Sequence, residues 1–270
     1  MPAPPPNLLL QLDDLSHIVR APRLGVAVDF DGTISKIVAE PDAAAVWPES
    51  ATALSHLASR LPLVSVVTGR AVSDVVDRVG LDKIVYVGNH GAEYFSDGVL
   101  DVVQGSSEGR DALLAAFAYL RTHADSPGVV WQDKGISASV HYRRARDREA
   151  ARSALAAALA SAPGVERVEA FWGNMLLELR APTGLTKGYA LRRLVREWDL
   201  DAVVFIGDDT TDGDALSALR EMVSEGQVSG VGVAVLGEDT PEALLAAADY
   251  TLNGVSEVGV FLTWLDEAVP

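Results

Sequence analysis

The chain has 270 residues, 22 of them Lys or Arg and 38 Asp or Glu, for a formal net charge of −16. Its length suits one or two domains with a real core, and a 49% hydrophobic content is ordinary for a globular protein. The absence of cysteine excludes disulfides, thiol nucleophiles, zinc–thiolate sites and iron–sulfur clusters, and the acidic balance speaks against nucleic acid or an anionic membrane as partner.

Residues 1–6 read as a disordered Pro-rich lead and residues 7–19 as a short helix. No basic residue precedes the apolar run at 8–10, which argues against a signal peptide, and no apolar run reaches the roughly 18 residues of a membrane span. A cytoplasmic protein is the expectation, with the oligomeric state left open and a monomer as one reading. Residues 24–29 (LGVAVD) form a short Val-rich run that suits a buried strand, followed by a helix over 50–60. A second buried strand follows at 63–67 (LVSVV), then a helix over 71–79 and a third strand at 84–87 (IVYV).

Between residues 101 and 182 the pattern changes. A helix over 108–123 precedes two alternating segments, 129–133 and 136–142, joined at Lys134-Gly135. Polar and apolar residues alternate there as in a half-buried antiparallel hairpin. A second helix over 147–161 leads to strands at 165–171 and 175–180, joined at Trp172-Gly173-Asn174. The order αββαββ describes a small α+β unit inserted between Gly-, Ser- and Pro-rich borders and read as a mobile cap. The strand–helix rhythm then resumes with a helix over 187–198, a strand at 202–206 (AVVFI), a helix over 212–224 and a strand at 231–236. Helices at 241–248 and 257–267 close the chain. Strands alternating with helices imply βαβ units and a parallel sheet. The expected organisation is an α/β core from residues 1–103 and 183–270, with an inserted domain over 104–182.

The chemistry gathers where buried strands end, the edge at which open parallel sheets bind ligands. The first strand runs into Asp29-Phe30-Asp31-Gly32-Thr33, and strand 202–206 runs into Gly207-Asp208-Asp209-Thr210-Thr211-Asp212. Either cluster alone reads as a turn or a helix cap. Both at one sheet edge read as a hard oxygen site for Mg²⁺, because crowded carboxylates repel unless a cation holds them. Strand 63–67 runs into Thr68-Gly69-Arg70, a hydroxyl and backbone N–H groups that suit an anion. Lys187 opens a helix, where its charge opposes the helix dipole unless an anion is near. No GxxxxGK[ST] or GxGxxG pattern occurs, so those nucleotide-binding loops are absent.

In this order DFDGT, VTGR, TKG and GDDTTD resemble the four motifs of haloacid dehalogenase (HAD) superfamily phosphatases. The segments GNHGAE (88–93), WQDKG through VHYR (131–143) and LELR (177–180) narrow the resemblance to the trehalose-6-phosphate phosphatases, over nearly the whole chain. The resemblance implies a Rossmann-like HAD core with an αββαββ cap and a Mg²⁺-dependent phosphatase acting on a small sugar phosphate. It also implies Asp29 as nucleophile, Asp31 as proton donor and acceptor, and Thr68 and Lys187 on the phosphate, with Gly69 assisting. The metal falls to Asp29, the Asp31 carbonyl and Asp208, supported by Asp209 and Asp212. Lys134 and Glu178 are implied as the cap contacts to the sugar, with Gln132 standing where many members carry glutamate; Arg70 and Asn89 are further substrate candidates. Two other readings stay open. One is a phosphatase for another glycosyl phosphate, such as glucosylglycerol or mannosylglycerate phosphate, which Gln132 keeps alive. The other is a non-catalytic sugar-phosphate sensor, against which the complete Asp29, Asp31, Lys187 and Asp208 set counts.

Overall fold

In the computed structural model, residues 4–38, 41–103, 107–133, 137–181 and 184–270 are described. The chain begins with two 3₁₀ turns, Leu8–Leu10 and Leu12–Leu15, and a one-turn helix α1 (Ser16–Val19). The continuous helix expected over 7–19 is therefore broken. Asn7 caps the first turn through Leu9 N, and Asp13 and Asp14 sit in the second, where short polar side chains compete with the helical backbone. Nor are Pro5 and Pro6 a loose lead: their carbonyls accept hydrogen bonds from the Thr251 hydroxyl and backbone N–H.

Next come β1 (Leu24–Val28), α2 (Pro48–Ala58), β2 (Leu63–Val67), α3 (Val72–Val79) and β3 (Val85–Gly88). An antiparallel hairpin follows, β4 (Glu93–Ser96) and β5 (Val99–Val102), turning at Asp97-Gly98, both in the left-handed region. Residues 103–184 form a unit of their own. It holds α4 (Ser107–Ala124), β6 (Val130–Asp133), β7 (Ser137–His141), α5 (Arg148–Ala160), β8 (Glu169–Gly173) and β9 (Leu176–Arg180). The chain then continues with α6 (Lys187–Glu197), β10 (Ala202–Gly207), α7 (Thr210–Ser224), β11 (Ser229–Leu236), α8 (Glu242–Ala247), β12 (Tyr250–Asn253) and α9 (Gly254–Ala268). These elements and residues 1–102 make the other compact unit.

The larger unit is built on an eight-stranded sheet in the order β12-β11-β10-β1-β2-β3-β4-β5. It is parallel from β12 to β3; β4 runs against these strands, and its pairings with β3 and β5 are antiparallel. Alternate residues of its central strands (Val26, Val28, Val64, Val66, Val204, Ile206) share one cluster with Leu54 and Leu57 of α2 and Phe261 and Leu265 of α9. On the other face Gly230 and Gly232 of β11 lie against Leu219 and Leu216 of α7. Helices on both faces account for strands that are apolar throughout.

The smaller unit is a four-stranded antiparallel sheet, β6-β7-β9-β8. Ala138, Val140, Leu177 and Leu179 pack on one face with Leu113, Phe117 and Leu120 of α4 and Leu155 of α5. Residues 165–167, expected as strand, form a 3₁₀ turn, and the β8–β9 turn falls at Asn174-Met175 rather than 172–174. No described helix is long and apolar enough to cross a membrane.

Candidate active site

Register sets the site. Val28 pairs with Ile206 on one side and Val66 on the other, and Asp29 N donates to Ile206 O at 2.9 Å. Asp29, Asp208 and Thr68 therefore leave the sheet together, at the carboxyl ends of three adjacent strands. Two glycines allow the approach. Gly32 has φ +81°, which suits glycine, and a Cβ there would stand 1.9 Å from Asp208 Oδ2. At Gly207 a Cβ would stand 2.2 Å from Asp212 Cγ. Carboxylate oxygens of Asp29, Asp208 and Asp212 thus come within 4.8 Å of one another.

Lys187 enters this group from α6, whose N-cap is Thr186. Its side chain is 1% exposed, with Nζ 2.9 Å from Asp29, 2.7 Å from Asp212 and 3.9 Å from Asp209. The anion that a lysine in a first helical turn needs is here a set of carboxylates. Asp209 is the N-cap of α7, accepting from Thr211 N and Asp212 N, while Asp212 Oδ2 accepts from Asp208 N and Asp209 N. The acidic cluster is therefore a capping box as well as a candidate metal site. Asp212 brings its carboxylate into the group itself, a more central place than the supporting one implied by resemblance.

Charge balance in this group is unfavourable without a further cation. Burial, together with the Asp208, Asp209 and Asp31 charges, pushes Asp29 up to about 8 although Lys187 opposes the shift. Burial and the neighbouring carboxylates likewise hold Asp208 and Asp212 well above the carboxylate range. Burial alone would lower Lys187; Asp212 and Asp29 outweigh it and hold the ammonium well above its ordinary value. Asp208 Oδ1 is buried with no hydrogen-bond partner among the described residues. A buried oxygen left unpaired beside two more carboxylates fits a divalent cation.

The Asp31 carboxylate is not one of the three that converge. It receives Arg70 Nε at 2.6 Å and Nη2 at 2.8 Å, a bidentate pair. Arg70, expected as a substrate contact, thus engages a carboxylate of the site itself. Thr68 is buried, and its hydroxyl accepts from Arg70 N at 3.2 Å. It does not cap the following helix, whose N-cap is Ala71, without a side-chain bond. Glu93 takes over that task from β4: Oε2 accepts from Val72 N and Oε1 from Asn89 Nδ2, both at 2.8 Å. Asn89, expected near the substrate, and His90 form a left-handed turn (φ +48° and +56°) bonded back to Arg70 O and Thr68 O. The His90 ring lies over Gly69, where a Cβ would stand 2.6 Å from it. Glu93 was not among the expected site residues; its spacing from Asn89 within GNHGAE was the available signal.

In the smaller unit Gln132, Ser139, Glu178 and Phe171 are register partners across the four strands, so they share the face opposite the helices. Glu178 is buried and accepts from Arg180 Nε at 3.1 Å. Lys134 lies outside the described residues. The structure thus brings Asp29, Lys187, Asp208, Asp209 and Asp212 together, sets Asp31 with Arg70, and puts Gln132 and Glu178 on one face of the second sheet.

Residues 27–254 match the family model described as Trehalose-phosphatase. A trehalose-phosphate phosphatase of Mycobacterium bovis is 36% identical over 271 residues, covering 93% of this chain and 63% of that protein. Its counterpart from Mycobacterium avium is 35% identical over 258 residues, covering 88% and 62%. The chain therefore spans a little under two thirds of the length of these relatives. Among solved structures, the C. albicans trehalose-6-phosphate phosphatase C-terminal domain superposes with a TM-score of 0.81 at 22% identity, covering 99% of both chains. That likeness shows the fold.

Proposed function

The chain belongs to the trehalose-phosphatase family, and from that membership we propose that it hydrolyses trehalose 6-phosphate to trehalose and phosphate. The observation that carries this reading is the convergence of Asp29, Asp208 and Asp212 on one edge of the sheet, with Lys187 among them. A carboxylate oxygen of Asp29 attacks phosphorus, the bond from phosphorus to the sugar oxygen breaks, and an aspartyl-phosphate forms. Asp31 protonates the departing sugar oxygen, then takes a proton from the water that attacks the intermediate, which returns free Asp29 and phosphate. Lys187, Thr68 and the Gly69 N–H hold the remaining phosphate oxygens.

The residues fit a resident Mg²⁺ at Asp29, Asp208 and the Asp31 carbonyl, with the Asp212 carboxylate among them and Asp209 behind. The unpartnered Asp208 oxygen supports this. Bound there, the ion neutralises phosphate charge that the acidic cluster would otherwise repel. Residues 103–184 serve as the cap, where Glu178, Gln132 and Lys134 read sugar hydroxyls.

A phosphate-release panel with Mg²⁺ tests the proposal across phosphates of trehalose, sucrose, glucosylglycerol and glucose. Trehalose 6-phosphate should exceed the others in kcat/KM by at least about tenfold. A uniform rate contradicts the disaccharide reading. Preference for glucosylglycerol phosphate selects the second reading, the one that Gln132 keeps open.

A further inference from the structure

The mechanism above uses Asp31 and leaves unexplained what holds it. Asp31 is one end of a chain of alternating charges within the larger unit. Arg70 gives Nε and Nη2 to the two Asp31 oxygens and Nη1 to Asp74 Oδ2 at 2.7 Å. Asp74 Oδ1 accepts from Arg78 Nε at 2.7 Å. Arg78 in turn donates to Asp42 Oδ1 at 3.0 Å and to the Asp42 carbonyl at 2.8 Å. The Arg70 guanidinium also stands 5.2 Å over the Phe30 ring, between the two aspartates of the first motif. Arg70 and Arg78 side chains are only 12% and 14% exposed, whereas Asp42 is open to solvent.

Asp74 sits in the first turn of α3, where a carboxylate favours the helix dipole. For helix stability alone its i,i+4 partner Arg78 would be enough. Arg70 is not part of that helix, yet it takes the second Asp74 oxygen. A guanidinium is planar and rigid, so a bond at Nη1 fixes the plane of the Nε/Nη2 fork. That fork faces both oxygens of Asp31 and so fixes the plane of its carboxylate.

We propose that Asp74 is a positioning residue for Asp31, acting through Arg70. This rests on the reading of Asp31 as the group that exchanges a proton with the leaving sugar oxygen. Proton transfer in a transition state depends on placement of the donor. With Asp74 absent, Arg70 retains its charge pair with Asp31 but loses the bond that orients Nη1 and, with it, the plane of the fork.

Leaving-group dependence separates positioning from simple support of the fold. A sugar oxygen needs a proton to depart, and 4-nitrophenolate does not. In kcat/KM, which reports the steps through leaving-group departure, D74A should fall at least about tenfold on trehalose 6-phosphate. On 4-nitrophenyl phosphate it should fall by less than about threefold. The ratio of the two esters, measured on one sample, does not depend on the folded fraction, and D74N reads it should D74A not fold. D74E, which keeps both acceptor oxygens, should recover most of the loss. The double variant D31N/D74A should match D31N within about twofold, since Asp74 acts only through Asp31. Equal losses on both esters, unchanged rates, or losses that add to those of D31N overturn the proposal. If the wild type ignores trehalose 6-phosphate but splits another sugar phosphate of the panel, the functional reading fails and the ratio is read on that ester. A wild type inactive on every ester overturns both.

Discussion

Lys187 Nζ lies within 3 Å of both Asp29 and Asp212, on a side chain with almost no contact with solvent. Removing one member of a buried ion group leaves the rest uncompensated, at a cost of about 3–5 kcal/mol. K187A should therefore lose stability on that scale in urea unfolding without added metal, and lose turnover as well. K187R should restore neither, because a planar fork does not replace a compact ammonium among three carboxylates. Unchanged unfolding in K187A would mean that the ammonium does not balance the cluster. At this scale much was readable from sequence. Aspartates that follow buried strands, and a lysine opening a helix, announce themselves by position. The bond from Arg70 to Asp31 did not, since it spans 39 positions and depends on how a long side chain turns.

Among the elements, α9 shows how a single carboxylate joins the two ends of the larger unit. Glu257, in its first turn, accepts from Asn253 N, Asn253 Nδ2 and Asn7 Nδ2. Burial, the largest single influence, pushes its carboxyl up, but those hydrogen bonds together outweigh it and hold the group below its ordinary value of 4.5. A folded-state value below the unfolded one gives stability that is present above pH 4.5 and is lost as pH falls through the folded value. Thermal melting of E257Q should thus trail the wild type near pH 7, and the gap should close on acidification toward pH 3. A gap that widens in acid would contradict the assignment.

The same scale shows where sequence reading stopped. The central strands were legible because both their faces are apolar. The β4–β5 hairpin has a turn signal in Asp97-Gly98, but every residue of β5 is exposed, so no buried apolar run marks it. β12 has four residues and no long apolar run, and its place depends on pairing with β11. The helical start of the chain is broken where short polar side chains at Asn7, Asp13 and Asp14 compete with the helix, and Asn7 also bridges to Thr251, a contact far away in sequence.

For the whole molecule, a net charge of −16 and an anionic substrate are compatible only where cations are concentrated. In the proposed function the buried Lys187 ammonium and a Mg²⁺ on the carboxylates would provide that concentration at one sheet edge. The absence of cysteine rules out a thiol nucleophile, and the proposed one, Asp29, stands where β1, β2 and β10 end. The central claim is covalent chemistry at that residue. It is tested by acid-quenching the Mg²⁺-loaded protein during turnover of trehalose 6-phosphate, reducing with borohydride and sequencing peptides by mass spectrometry. An aspartyl-phosphate at Asp29 predicts homoserine at position 29 in the wild type and none in D29N, which should not turn over. Sustained phosphate release by D29N, or turnover that leaves position 29 unmodified, would contradict the account.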